Sequence, residues 1–114
     1  NYQISHVFGR TKNVLAFTAP WNIVYMPKLL DPFTGHAAQG AAVTEFSKVF
    51  RENSYRRFER LIEDFNAIVS SSRIVSDLEV CMEQLRLSVD VSDAIFSKFA
   101  ESVSVEFQPI DLRM

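Results

Sequence analysis

Every glycine in the chain and three of its four prolines fall within the first forty residues: Gly9, Gly35 and Gly40 with Pro20, Pro27 and Pro32. Only Pro109 stands beyond them. These two residues interrupt helices, glycine through its backbone freedom and proline through its missing N–H and its ring clash with the preceding turn. Residues 41–108 are free of both. Long helices are therefore expected there, preceded by a shorter-stepped, turn-rich region.

The periodicity of the apolar residues fills in both regions. Tyr2 to Phe8 alternates as a strand, with Tyr2, Ile4, His6 and Phe8 on one face and Gln3, Ser5 and Val7 on the other. Gly9 to Asn13 is a polar turn, and Val14 to Phe17 is too short to fit either period. Trp21 to Met26 is rich in β-branched and aromatic residues and reads as a second strand, ended by Pro27. Pro27 to Gly40 reads as a loop with a short helix. From Ala41 the step becomes three and four: Val43, Phe46, Val49 and Phe50 make one helical stripe. Asn53-Ser54 is expected to break it, with Ser54 capping a second helix whose apolar face is Phe58, Leu61, Ile62, Phe65, Ile68 and Val69. Ser70 to Ser72 ends that helix. Ser76-Asp77-Leu78-Glu79 has the form of a capping box and predicts the start of a third, carrying Leu78, Cys81, Met82 and Leu85. Asp90 or Ser92 starts a fourth, with Ile95, Phe96, Phe99 and Val103. The alternation from Val103 to Phe107 suggests a terminal strand. The expected fold is α+β and α-rich: an N-terminal two-stranded β ribbon and loop packed against three or four helices, in one domain over residues 1–114.

With 47% hydrophobic and 23% charged residues the composition is that of a globular domain. No apolar run approaches membrane-spanning length, and no basic start leads into an apolar leader. Membrane partners are therefore not expected. Tyr2-Gln3-Ile4 at the start reads as the middle of a strand, so the sequence is expected to be a fragment of a longer protein. Cys81 stands alone, which excludes an internal disulfide and favours a reducing, intracellular (cytoplasmic) setting. The net charge of −2 hides an asymmetry: residues 1–60 hold eight Lys/Arg against four Asp/Glu, and residues 61–114 hold four against ten. Such a division hints at an anionic partner for the first half.

One constellation could carry chemistry: His6 at the end of a strand, Asn22 at the start of the next, and His36 soon after it. Here the chain resembles the HNH (ββα-metal) nucleases. Ile4-Ser5-His6-Val7 stands as the first strand, Trp21 to Lys28 as the second, and Asp31 to His36 as the metal-binding end. The block Asn22-Ile23 followed by Pro27-Lys28 is similar in particular to the colicin DNases. Residues 1–40 would then form a ββα-like ribbon and loop, and residues 41–114 a helical part. The resemblance implies His6 as general base, Asn22 as the residue that holds the loop and orients the imidazole, and Asp31 and His36 as ligands of a divalent metal (Mg2+, Ni2+ or Zn2+). Asp31 would ligate from the helix N-cap, with Pro32 at the first helical position. The chemistry suits phosphodiester hydrolysis in DNA: a base near neutral pH activates water while cations stabilise charge on the phosphate.

Arg10 and Lys12, in the loop after His6, are expected beside the same phosphate. Arg56, Arg57 and Arg60, with Lys48 and Arg51, form a basic cluster that could track a nucleic-acid backbone. The plainer readings are a half-buried strand histidine, a turn asparagine, a loop histidine and a solvated basic helix face. On those readings the chain is a non-catalytic helical module, either a nucleic-acid-binding domain or one that meets a protein partner or a second copy through its helical apolar face. No nucleophile elbow accompanies Ser5-His6 or Ser76-Asp77, so a hydrolase triad is excluded.

Overall fold

The computed structural model describes residues 1–30 and 40–112, and the chain is α+β and rich in helix. A two-stranded antiparallel ribbon, β1 (Tyr2–His6) and β2 (Ile23–Pro27), flanks a short helix, α1 (Val14–Phe17). Among the described residues four longer helices follow: α2 (Ala41–Arg57), α3 (Glu59–Val69), α4 (Ser72–Arg86) and α5 (Asp93–Glu106). A single 3-10 turn, Lys28–Leu30, leaves β2.

The register pairs Tyr2 with Pro27, Ile4 with Tyr25 and His6 with Ile23. Tyr2, Ile4 and Tyr25 thus share a face, and it is the exposed one; Met26, on the other face, is buried. Because β1 stops at His6, Val7 and Phe8 leave the alternation and both turn into the core. The ambiguous stretch Val14–Phe17 becomes helical because Asn13 caps it, its side-chain oxygen accepting from the Leu15 N–H at 2.8 Å.

The core forms where this N-terminal region meets α3. Val7, Phe8, Ala16, Ala19 and Trp21 pack with Ile62, Phe65 and Val69, and Ile110 of the C-terminal tail closes the cluster. Three and four residues separate the α3 members, so they fall on one stripe. Trp21 sits against Phe65 at 5.2 Å between ring centroids and against Phe8 at 6.3 Å.

Four boundaries differ from the sequence expectation. Helix α2 runs through Asn53-Ser54 and ends at Arg57; Ser54 lies inside it, its carbonyl accepting from the Phe58 N–H at 3.1 Å. The break falls at Phe58, whose carbonyl already starts α3 by accepting from Ile62. Helix α4 begins a turn earlier than the Ser76 box, because Ser71 caps it, its hydroxyl accepting from the Ile74 N–H while donating to the Ile68 carbonyl. The terminal alternation is not a strand: α5 continues to Glu106, since Val103 and Phe107 extend the three-and-four step of Phe96 and Phe99. Ser92, one of two candidate starts, caps α5 as expected, at 3.2 Å from the Ile95 nitrogen.

Candidate functional site

His6 closes β1, and its ring is held from one side. Nε2 lies 3.0 Å from the Phe17 carbonyl, and the imidazole stacks on the Phe17 ring at 5.2 Å and 14°. A carbonyl oxygen only accepts, so this bond puts a proton on Nε2 and leaves Nδ1 as the lone-pair nitrogen of the neutral ring. On another side His6 lines a small crevice of about 70 Å³ between β1 and α2, shared with Ser5, Ser47, Phe46, Phe50 and Arg51. Among the described residues no carboxylate lines it.

Asn22 is fully buried and hydrogen-bonded at both ends of its amide. Its oxygen accepts from the Phe8 N–H at 2.8 Å, and its nitrogen donates to the carbonyls of Gly9 and Ala16 at 2.9 and 3.0 Å. Asn22 therefore holds the loop through the Phe8 N–H and the Gly9 and Ala16 carbonyls, and the imidazole is oriented instead by the Phe17 carbonyl. The two roles are linked through α1, since Asn22 pins Ala16, the residue before Phe17. Gly9 adopts φ +69° and Arg10 φ +54°, two successive left-handed residues that turn the chain under the Asn22 amide.

Arg10 is engaged by main-chain carbonyls. Its guanidinium donates to the carbonyls of Phe8 at 2.8 Å, Gln108 at 2.9 Å and Pro109 at 3.1 Å. Desolvation by burial lowers its pKa from the usual arginine value; Glu106 opposes that shift and the nearby Arg51 adds to it. The side chain remains a cation at neutral pH, spent on fastening the tail to the loop. Asn13 ties the same region, donating to the Glu106 carbonyl at 2.9 Å. Asn66 bonds both the N–H and the carbonyl of Ile110, at 2.7 and 2.9 Å.

Lys12, Arg56, Arg57 and Arg60 are exposed, and Arg57 lies over the Phe58 ring at 5.6 Å. Arg51 lines the same crevice as His6, and its Nε donates to the Val7 carbonyl at 3.4 Å. The sequence places Arg51 in a basic cluster but gives no hint of its closeness to His6. Asp31 and His36, the expected metal ligands, lie outside the described residues. Among the described residues no group of three His, Cys, Asp or Glu side chains could hold a metal ion.

A larger recess of about 510 Å³ adjoins the crevice and shares Ser47 and Arg51 with it. Its walls are α2, the turn through Phe8 and Arg10, and the tail Ile110–Leu112. An open apolar groove of about 690 Å³ lies elsewhere, between α4 and α5, with Leu78, Met82 and Phe96 on its walls. No described helix is long and apolar enough to cross a membrane.

No solved structure matches the chain. A curated relative, "Uncharacterized protein PM1201" of Pasteurella multocida (strain Pm70), is 43% identical over 111 residues, which cover 97% of this chain and 50% of the relative. The chain thus spans about half the length of the curated relative it matches. A family model described as "Uncharacterised protein PM1201" matches residues 1–112, and the chain belongs to that family.

Proposed function

We propose that the chain is the nuclease module of an HNH-type enzyme hydrolysing phosphodiester bonds in DNA, with His6 as general base. The observation that carries this reading is that His6 and Arg51 line one crevice together with two hydroxyl residues, Ser5 and Ser47. A phosphodiester is an anion, and a guanidinium anchored by its Nε presents its remaining N–H donors to two phosphate oxygens. The imidazole, with Nε2 held by Phe17, takes the proton of an attacking water on Nδ1. The new P–O bond forms as the bond to the leaving oxygen breaks, and that oxygen is protonated from solvent. The strand–loop–strand order agrees with the first part of the resemblance, and Asn22 rigidifies the loop. The divalent metal is assigned by the same reading to Asp31 and His36, whose carboxylate and imidazole suit Mg2+, Ni2+ or Zn2+. When bound it would supply a cation for charge developing on the phosphate.

Supercoiled plasmid incubated with the protein and Mg2+, Mn2+, Ni2+ or Zn2+ is expected to be nicked. His6→Ala should lower the rate by 10²-fold or more, the usual scale of a general base, with the thermal midpoint little changed. Absence of nicking with every metal, or an equally active His6→Ala, sinks the reading.

The α4–α5 groove favours a second reading, an assembly role in which that apolar face meets a second copy of the chain. Sedimentation over a range of concentration would show a dimer; a mass that stays monomeric throughout removes it.

A further inference from the structure

The recess beside the His6 crevice has a chemistry of its own. Arg51 and Ser47 belong to both cavities, so the two form one continuous depression along α2. Beyond Arg51, the recess presents Lys48 and Thr44 from the same helix, with Phe8 at its floor. Lys48 and Arg51 are three apart, which sets their side chains next to each other on the helix surface. Glu52 and Asp111 also line it. Arg10 is committed to main-chain carbonyls, so Lys48 and Arg51 are the cations left to a ligand.

We propose that this recess binds one unpaired nucleotide of a nucleic-acid strand, taking the phosphate adjacent to the one at His6 on Lys48 and Arg51. The shape carries the argument for an unpaired nucleotide. The cavity is walled by α2, the Phe8–Arg10 turn and the Ile110–Leu112 tail, and at about 510 Å³ it falls among cavities that enclose small ligands. A nucleotide stacked and paired within a duplex cannot enter such a recess without leaving its stack, whereas a single strand offers it freely. The position assigned to the neighbouring phosphate rests on the reading of the His6 crevice as the cleavage site, which the experiment tests separately.

Binding of fluorescein-labelled single-stranded and duplex oligonucleotides of one sequence is measured by anisotropy on the full chain, with chelator present and across a salt series. The single strand is expected to bind more tightly than the duplex. Lys48→Ala should weaken it roughly fivefold at 0.1 M salt and reduce the salt slope by about 0.7, the value of one phosphate contact on a single strand. Lys48→Glu should weaken it further, and Lys98→Ala on the distant α5 should leave it unchanged. Both Lys48 variants alter an exposed side chain, and thermal melting verifies that they fold. Duplex preference, a Lys48→Ala salt slope equal to that of the unaltered chain, or competition by inorganic phosphate as effective as by the strand overturns the proposal. Lys48-dependent strand binding in a protein that nicks no plasmid supports the recess and removes only the hydrolytic reading. Nicking with no Lys48 dependence of binding does the reverse.

Discussion

Residues 7–22 contain one turn of helix and little else regular, whereas α4 and α5 are long and well capped. Yet the irregular segment is the better buried. It contributes Val7, Phe8, Ala16, Ala19 and Trp21 to the core and places Asn13 and Asn22 inside it with every side-chain donor and acceptor used. Neither α4 nor α5 has a fully buried residue. The radius of gyration, 16.4 Å, and the extents of 47 × 30 × 26 Å fit this division, since a compact chain near this length has a radius of about 13 Å. Regular backbone satisfies its own hydrogen bonds wherever it lies. A loop must be satisfied by side chains, and here buried amides do so while fixing where the neighbouring groups point.

The sharpest way to break this comparison is Asn22→Ala. It strips partners from the Phe8 N–H and the Gly9 carbonyl, each worth about 1–3 kcal/mol when buried and unpaired, while the Ala16 carbonyl keeps the Ala19 N–H, so a loss of about 3 kcal/mol in denaturant unfolding is expected. A loss under about 1 kcal/mol would mean that the loop is held otherwise. Ile62→Ala, at a fully covered position on α3, should cost about 3 kcal/mol. Asn13→Ala removes both the cap of α1 and the bond to Glu106 and should cost about 2 kcal/mol by the same assay. Phe96→Ala, on the half-buried face of α5 beneath the Arg86 guanidinium, should cost under about 1.5 kcal/mol. Amide exchange sharpens the contrast further: α4 and α5 should lose protection well before Ile62, Phe65 and Val69. Equal protection across all four helices would show one cooperative unit.

Much of the ribbon and helices was legible because periodicity and caps are local. The strands around His6 and Asn22, the stripe of α3 and the Ser92 cap could each be found from a few neighbouring residues. The α4 start was misplaced because two serines compete: Ser76 has the better box, but Ser71 also bonds back to α3 and gains the longer helix. The α2 break was misplaced because Asn53-Ser54 is weak in helix propensity, whereas the chain turns at Phe58, which packs against the core. At the site, the spacing pointed to His6 and to a loop-holding role for Asn22. Nothing local reveals that residues 108 and 109 return to the Arg10 guanidinium. Arg51 beside His6 is likewise a product of tertiary packing.

The clasp between Arg10 and the carbonyls of Gln108 and Pro109 joins positions 98 and 99 apart in the chain. During synthesis, at about 5–20 residues per second, the loop beside His6 must wait several seconds for that stretch to emerge. Before then Val7, Phe8 and Trp21 lack the Ile110 side chain that closes over their cluster. A nascent chain stalled short of Ile110 would therefore present an open, sticky surface to chaperones and proteases, and the loop from Gly9 to Asn13 would be the last part to set.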